Sequence, residues 1–298
     1  KHYDWIRQRD GDFQEFLVMG DKSKDHNATL FDNYSLGVAT GRDAWCYNSS
    51  AATISRNMQA MIASYNAEVD RFVSSGAQKA PEDFVKIDPK SVSWNRNLFQ
   101  DLAKRKLHSF DEGAIVTSIY RPFSKSHLYF AREMNAMIYQ QHKIFPDGSA
   151  KNRAIMTKGN WRADGHFALM VDSVPCLQPD GGAQCFPLAL HDKVSNEDGD
   201  DDLFSQSEKT QGVQSRDGIT DTGLKHFQDA YPGEEITKEG LFYYVYGLLH
   251  SEDYRAKYAD ELEHDAIGLR RQHATVDQRG KRRRVHDDER EALPELIE

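Results

Sequence analysis

Cysteine is scarce in this 298-residue sequence, and long apolar runs are absent. The three cysteines, Cys46, Cys176 and Cys185, form no C-x-x-C pair, so neither a paired-thiolate metal site nor a disulfide framework is indicated. Cys176 and Cys185 could bridge, but buried free thiols in a reducing compartment suit the pattern better. No apolar stretch approaches the roughly 20 residues that span a bilayer, and the N-terminus does not resemble a signal peptide. We expect a cytoplasmic domain with no membrane partner, and the missing initial Met suggests a fragment or a processed chain.

The motifs of several enzyme classes are missing as well. The sequence contains no G-x-x-x-x-G-K-[ST] phosphate loop, no G-x-G-x-x-G turn, no H-E-x-x-H pair and no G-x-S-x-G elbow. His142 and His166 have no metal-ligating neighbours at a suitable spacing. A Cys-His-Asp hydrolase can be assembled on paper from Cys46, His127 and Asp172, but any chain of this length offers such a triple. We therefore expect a binding domain without catalytic residues, metal or cofactor of its own.

Charge is distributed unevenly along the chain. The net charge is −9, yet residues 94–162 carry 12 Lys and Arg against 5 Asp and Glu, a net of +7. The remaining residues therefore carry 26 against 42, a net of −16, part of which lies in the acidic run at 191–202. A basic middle in an acidic chain is compatible with one electropositive face.

Hydrophobic spacing predicts a long helix over residues 51–73. Apolar residues recur there at intervals of three and four, the pattern of one buried helix face. Ser49 or Ser50 can cap its start, and Gly76 follows its end. The predicted core face comprises Ile54, Met58, Met61, Ile62, Tyr65, Val69 and Phe72.

Strands and further helices follow from the same patterns. Short β-type segments bounded by Gly, Pro, Asp or Asn are predicted strands at residues 114–120, 126–130, 153–157, 167–173 and 186–190. Helices are predicted at 221–231 and, almost wholly apolar and therefore buried, at 237–251. Tyr243, Tyr244 and Tyr246 are predicted core residues of the second. The pattern indicates an α/β (α+β) fold, in which a mixed sheet packs against helices.

Composition also suggests a division of the chain. We expect an α/β region over 1–215 with a mobile acidic loop at 191–215, followed by a C-terminal helical part of the same domain at 216–262. Residues 263–298 form a charged tail with little to bury, either flexible or foreign to the domain.

Basic and aromatic residues alternate through the middle of the chain, in "KRKLHSF", "YRPFSKSHLYFAR" and "KNRAIMTKGNWR". Lys and Arg contact phosphates, while Arg, Gln and Asn can bind base edges in the major groove. This composition favours duplex DNA as the partner. A face rich in Arg and Tyr is also typical of protein interfaces, so a protein-interaction module stays open as the alternative.

Six segments, in order, resemble one family. "GVATGRDAWCYN" and "SRNMQAMIASYN" are similar to the opening of the specificity domain of Type ISP restriction–modification enzymes. The resemblance continues through "VSWNRNLFQDLAKRK", "SIYRPFSKSHLYFAREMNAMIYQ" and "QCFPLAL", and ends in the segment from "RDGITDTGLKHFQDAY" to "KYADEL". It covers roughly residues 4–262. Two places depart from the family pattern, namely the charged end after "YADEL" and His127, where a larger aromatic residue is usual.

The resemblance implies a bacterial defence protein and a non-catalytic target-recognition domain. Type ISP enzymes join a nuclease, an ATP-dependent translocase and an adenine-N6 methyltransferase to such a domain in one polypeptide. The resemblance implies that this chain selects a double-stranded DNA site. S-adenosylmethionine, ATP and Mg would be used elsewhere in the full protein. A scaffolding module that docks onto the methyltransferase or translocase is the alternative role.

Glycines and an Arg-Asp pair open the family-like segment. Gly37 and Gly41 allow the backbone to approach a partner closely, and Arg42 would then reach the DNA. Asp43 would orient Arg42 or accept a hydrogen bond from a cytosine amino group. In the alternative, Arg42 and Asp43 are a structural pair at the entry to a strand.

The other candidate DNA contacts are cations. Arg121, placed by Pro122, would contact a phosphate or a base, or else form a salt bridge at the sheet edge. Three adjacent cations are predicted phosphate contacts, although such a run is also typical of a solvated turn: Lys104, Arg105 and Lys106. Further candidates are Lys125, Arg132, Lys143, Lys158 and Arg162.

Overall fold

The computed structural model of the chain describes residues 16–22, 28–76, 79–158, 167–179, 182–193, 213–257 and 268–270. The predicted acidic loop lies outside the described residues from 194 to 212. So does most of the predicted tail.

Both helices and strands occur along the described residues, which confirms the mixed α and β class. The described α-helices are α1 (Asp43–Cys46), α2 (Ala51–Ser74), α3 (Pro81–Phe84), α4 (Arg96–Ala103), α5 (Gln141–Ile144), α6 (Asp221–Ala230), α7 (Lys238–His250) and α8 (Glu252–Lys257). The described strands are β1 (Phe16–Val18), β2 (Ser35–Leu36), β3 (Tyr47–Asn48), β4 (Ile115–Ile119), β5 (Lys125–Tyr129), β6 (Ala154–Lys158), β7 (Ala168–Val171), β8 (Val174–Pro175), β9 (Ala183–Pro187), β10 (Ala189–Lys193), β11 (Val213–Asp217) and β12 (Gly268–Arg270).

The chain divides into two compact units. The central unit comprises residues 35–153 and 171–185, and the terminal unit comprises 1–34, 154–170 and 186–298. The central unit carries 16 Lys and Arg against 13 Asp and Glu, a net of +3, which leaves 22 against 34, or −12, in the terminal unit. The excess of cations therefore belongs to the central unit. The predicted division into 1–215 and 216–262 stays a prediction.

A four-stranded sheet in the order β3-β5-β4-β8 organises the central unit. β4 and β5 form an antiparallel hairpin in which Ile115 pairs with Tyr129 and Ile119 with Lys125. β8 joins β4 in parallel, and this pairing makes the sheet mixed. β2 pairs with the first half of β9 at Ser35 and Cys185.

Helix α2 supplies much of the core of the central unit. The Ser50 hydroxyl accepts from the Thr53 amide at its start, and Gly76, at φ +77°, follows its end. The seven residues predicted as its buried face are its buried residues, so both the helix and its orientation are confirmed.

Aromatic side chains from distant segments build the core of the terminal unit. The ring centroid of Phe31 lies 5.2 Å from that of Phe186 and 6.3 Å from that of Phe242 in α7. The α7 tyrosines pack against this core, as predicted. Thr220 and Thr237 cap α6 and α7 by accepting from the amides of Gly223 and Gly240.

Several elements differ from the sequence expectation. The predicted strand at 186–190 is divided between β9 and β10, which meet at Leu188. Residues 81–84, for which no helix is predicted, form the one-turn helix α3, with Pro81 at its first position. Helix α4 was not predicted, although Asn95 caps it by accepting from the amide of Leu98.

The structure also bears on the state of the cysteines and on the expectation that no segment spans a membrane. All three cysteines are free and buried in the structure. No helix among the described residues is both long and apolar enough to cross a membrane.

Candidate nucleic-acid interface

Gly37 does permit a close backbone approach, but the partner is the protein itself. A Cβ at this position would lie 2.2 Å from the carbonyl oxygen of Cys176. The Val38 amide donates to Pro175 over 2.8 Å, and the Leu177 amide donates to Val38 over 2.8 Å. The glycine therefore lets two chain segments run side by side at the edge of the central sheet. Gly41 turns the chain at φ +67° just before α1.

Arg42 points into the protein and does not pair with Asp43. Its side chain is buried, with 4% of the residue exposed, and its three guanidinium nitrogens have no hydrogen-bond partner among the described residues. Burial lowers the pKa of this guanidinium. The alternative, an Arg42–Asp43 pair, is not formed, and the structure does not place Arg42 at the surface.

Asp43 belongs to a different network. One carboxylate oxygen accepts from the Thr40 hydroxyl and the other from the Tyr120 hydroxyl, over 3.1 Å. Burial and this carboxylate raise the pKa of Tyr120, so its hydroxyl remains a donor at neutral pH. Asp43 thus links the turn before α1 to the end of β4.

Arg121 lies at the tip of the β4–β5 hairpin in a strained conformation. Its φ is +86°, in the left-handed region that favours glycine. The guanidinium donates to the Gln178 carbonyl over 2.8 Å and stacks 4.7 Å above the Tyr120 ring. The expected sheet-edge salt bridge is absent among the described residues, and Arg121 is exposed and rigidly held.

Lys104, Arg105 and Lys106 form a tight turn that ends α4, here called the basic turn. The Lys106 amide donates to Asp101 and the Arg105 amide to Leu102, the two hydrogen bonds of a Schellman motif. Arg105 occupies the left-handed position of that motif at φ +58°, where glycine is usual. All three cations of the turn are exposed.

The backbone of the basic turn is anchored to α2. The Tyr65 hydroxyl donates to the Lys106 carbonyl over 2.9 Å. The Asn66 side chain accepts from the His108 amide at 3.0 Å and donates to the His108 carbonyl at 2.8 Å. His108 Nε2 also lies 3.0 Å from a carboxylate oxygen of Asp101 in α4. The cations therefore project from a fixed backbone.

Arg132 extends the positive charge of the basic turn. Lys106 Nζ lies 3.6 Å from a carboxylate oxygen of Glu133, the residue that follows Arg132. Arg132 is exposed, and no ion pair to it is formed among the described residues. Three exposed cations, Lys104, Arg105 and Arg132, have no acidic partner there and are available to phosphates.

The other residues predicted to contact DNA are ion-paired, half-buried or outside the described residues. The Lys125 ammonium is paired with both oxygens of Asp172, at 2.9 and 3.0 Å. Lys143 lies half-buried in α5, and Lys158 half-buried at the end of β6. Arg162 lies outside the described residues.

The hypothetical Cys-His-Asp triple is not assembled. The Cys46 thiol donates to the Met134 carbonyl over 3.6 Å. Burial raises the pKa of Cys46 to about 12, so the thiolate that a nucleophile requires is not formed at neutral pH. Asp172 is engaged by Lys125 and Ser173.

Sequence reasoning missed the residues that support the site. In the sequence Tyr65 and Asn66 are two residues of a predicted helix, and the only signal is that the polar Asn66 lies off its apolar face. Phe123 lies within a basic segment and is the most exposed large apolar residue described. Its position directly after an Arg-Pro pair was the available signal.

Comparison with known proteins identifies the family. The sequence model of the Type ISP C-terminal specificity domain matches residues 29–268. The chain belongs to this family. Among individually curated proteins there is no significant sequence match.

Solved structures resemble this Type ISP specificity domain over most of its length. A nuclease-deletion mutant of the Type ISP restriction-modification enzyme LlaGI, in complex with a DNA substrate mimic, is 29% identical with a TM-score of 0.71. The DrdV–DNA complex is 29% identical with a TM-score of 0.70, and the ATP-dependent Type ISP enzyme LlaBIII bound to DNA is 26% identical with a TM-score of 0.70. The matches cover 89%, 89% and 90% of this chain but only 22%, 25% and 16% of those chains.

The contact at Gly37 predicts a large stability defect on adding a methyl group. Gly37→Ala places a Cβ against the Cys176 backbone and should lower the free energy of unfolding by on the order of 3 kcal/mol in chemical denaturation. Gly148→Ala is the control, because its Cβ would meet Val116 at an ordinary 3.4 Å. Equal stability of the two variants would contradict the structural role of Gly37.

Burial of the cysteines predicts thiols that are inert in the folded state. Ellman's reagent should label no cysteine in the native protein and all three after unfolding in denaturant. Rapid labelling of Cys46 in the native protein would contradict its burial and reopen the hydrolase alternative.

Proposed function

We propose that this chain recognises a specific double-stranded DNA sequence as the non-catalytic part of a longer bacterial Type ISP restriction–modification enzyme. The observation that carries the proposal is the family match over residues 29–268, joined to relatives of similar structure that were solved with DNA. The chain spans a quarter or less of those relatives. The nuclease, translocase and methyltransferase, with their ATP, Mg and S-adenosylmethionine, are accordingly proposed for other parts of the polypeptide.

The local geometry supports phosphate binding by the central unit. The basic turn and Arg132 present four exposed cations, and the backbone of the turn is fixed by Tyr65 and Asn66. Of the two acids beside them, Glu133 pairs with Lys106 and Asp101 with His108. Because the backbone of the turn is already fixed, these residues lose little backbone freedom when they bind a phosphate, so more of the interaction energy contributes to affinity. In this proposal Arg121, at the hairpin tip, is the second DNA contact. Lys125 has to break its ion pair with Asp172 in order to bind a phosphate.

Selection of bound duplexes from a randomised DNA pool, repeated at two salt concentrations, tests the function. An enriched motif is the expected result, with affinity that falls steeply as salt rises. Absence of binding at low salt by folded protein would contradict DNA recognition. In that case, salt-resistant binding to the methyltransferase or translocase would favour the scaffolding alternative.

The basic turn predicts a loss that is independent of DNA sequence. Lys104→Ala combined with Lys106→Ala should weaken binding to all duplexes similarly and reduce the slope of log K against log salt by about 2. Lys86→Ala combined with Lys90→Ala is the control, since these exposed lysines lie in the same unit but outside the basic turn. A double variant of the turn that binds like this control would exclude the turn from the interface.

The strained position of Arg105 predicts opposite effects on stability and binding. Arg105→Gly removes the cation and the Cβ that is unfavourable at φ +58°, whereas Arg105→Ala removes only the cation. Both should lose the same DNA affinity, while the glycine variant should be more stable than the alanine variant by about 1 kcal/mol. Thermal denaturation and a salt-controlled binding titration measure the two quantities. Wild-type affinity in both variants would show that Arg105 serves no role in binding.

A further inference from the structure

Phe123 exposes more of its surface than any other large apolar residue described. Its exposed fraction is 88%, compared with 65% for Ile87 and 57% for Leu107. Its neighbours Arg121, Ser124 and Lys125 are exposed and polar. The benzyl group is therefore a single apolar projection with no apolar patch around it in the loop.

The loop that carries Phe123 is short and closed. The Tyr120 amide donates to the Ser124 carbonyl over 2.8 Å, and the Ser124 amide approaches the Arg121 carbonyl at 3.4 Å. Pro122, between them, has a φ fixed by its ring. The loop thus ends the β4–β5 hairpin as a compact tip.

Contacts beneath the tip hold it in place. The Arg121 guanidinium is hydrogen-bonded to the Gln178 carbonyl, and the Arg121 amide to the Cys176 sulfur at 3.4 Å. The Tyr120 ring lies 4.4 Å from the Tyr47 ring, and its hydroxyl is held by Asp43. Because these contacts hold the loop, Phe123 can press against a partner without a change in the conformation of the loop.

Charge identifies the surface that such a tip would meet. Residues 113–132 contain three cations and no Asp or Glu, and two of those cations, Arg121 and Lys125, flank Phe123. Asp172 offsets Lys125, but this exposed ion pair is weak and gives way easily. A protein partner would call for a wider apolar patch, whereas one apolar wedge between cations suits a stacked base step between phosphates.

We infer that Phe123 inserts between two stacked base pairs of the bound DNA, with Arg121 and Lys125 on the flanking phosphates. This inference rests on the proposed DNA recognition and specifies how part of the sequence is selected. Inserting an aromatic ring unstacks one step, which costs least at pyrimidine–purine steps. Phe123 would thereby favour such a step in the target without hydrogen bonding to a base.

The experiment uses the whole chain and the duplex enriched by selection, with 2-aminopurine placed at each purine position in turn. Wild-type protein is expected to raise the fluorescence at one step, because unstacking relieves quenching. Phe123→Ala should abolish that rise and weaken binding by about 5- to 150-fold, the range for loss of one aromatic stacking contact. Phe123→Trp should retain the rise. Ile87→Ala, which removes another exposed apolar side chain of the same unit, should behave as wild type.

The possible outcomes distinguish the insertion of Phe123 from DNA recognition itself. If the wild type binds the duplex but no position brightens, or if Phe123→Ala keeps both the brightening and the affinity, the inference is overturned while the proposed function stands. An equal loss of brightening in Ile87→Ala would also overturn it. Absence of DNA binding by the wild type would instead refute the proposed function.

Discussion

The close approach of the Gly37–Val38 backbone to Cys176 and Leu177 is the constraint on which the central unit depends. It allows Val38 to hydrogen-bond to Pro175 and Leu177, while the Cys176 amide donates to Ile119 at the end of β4 over 2.8 Å. Segment 175–178 is thereby held beside the hairpin tip, where Gln178 receives Arg121. A glycine distant in sequence thus determines where the exposed cation of the hairpin is fixed, because any Cβ at that position would separate the two segments.

Local patterns were sufficient for the long helices but not for the pairing of distant strands. α2 and α7 could be predicted because their apolar spacing and their Ser or Thr caps act within a few residues. The parallel pairing of β8 with β4 joins segments more than fifty residues apart and leaves no periodic signal. β2, β3 and β8 have two residues each, too few for a pattern of alternation to appear. Most of the sheet order therefore depends on contacts that only the folded chain reveals.

Backbone strain marks the candidate interface more clearly than charge does. Of the three described residues other than glycine with positive φ, two are Arg105 and Arg121. A left-handed non-glycine residue costs about 1 to 2 kcal/mol, and glycine at either position would avoid it. An arginine at these positions therefore lowers stability but places a cation at the point where the chain reverses direction. Each turn is also anchored by a hydrogen bond: the Tyr65 hydroxyl donates to the Lys106 carbonyl, and the Arg121 guanidinium donates to the Gln178 carbonyl. The strained turns are therefore held in place while their cations stay exposed.

The contrast between Arg42 and Arg121 shows why residue type alone could not define the site. The two arginines have the same sequence context, since each lies at a turn beside aromatic residues. At Arg42 the backbone has a φ of −156°, outside the left-handed region, and the side chain enters the interior, where burial lowers the pKa of the guanidinium. At Arg121 the left-handed backbone leaves the guanidinium on the surface above Tyr120. An electropositive face therefore depends on turn geometry as well as on residue type, since a cation can reach a partner only where the backbone brings it to the surface.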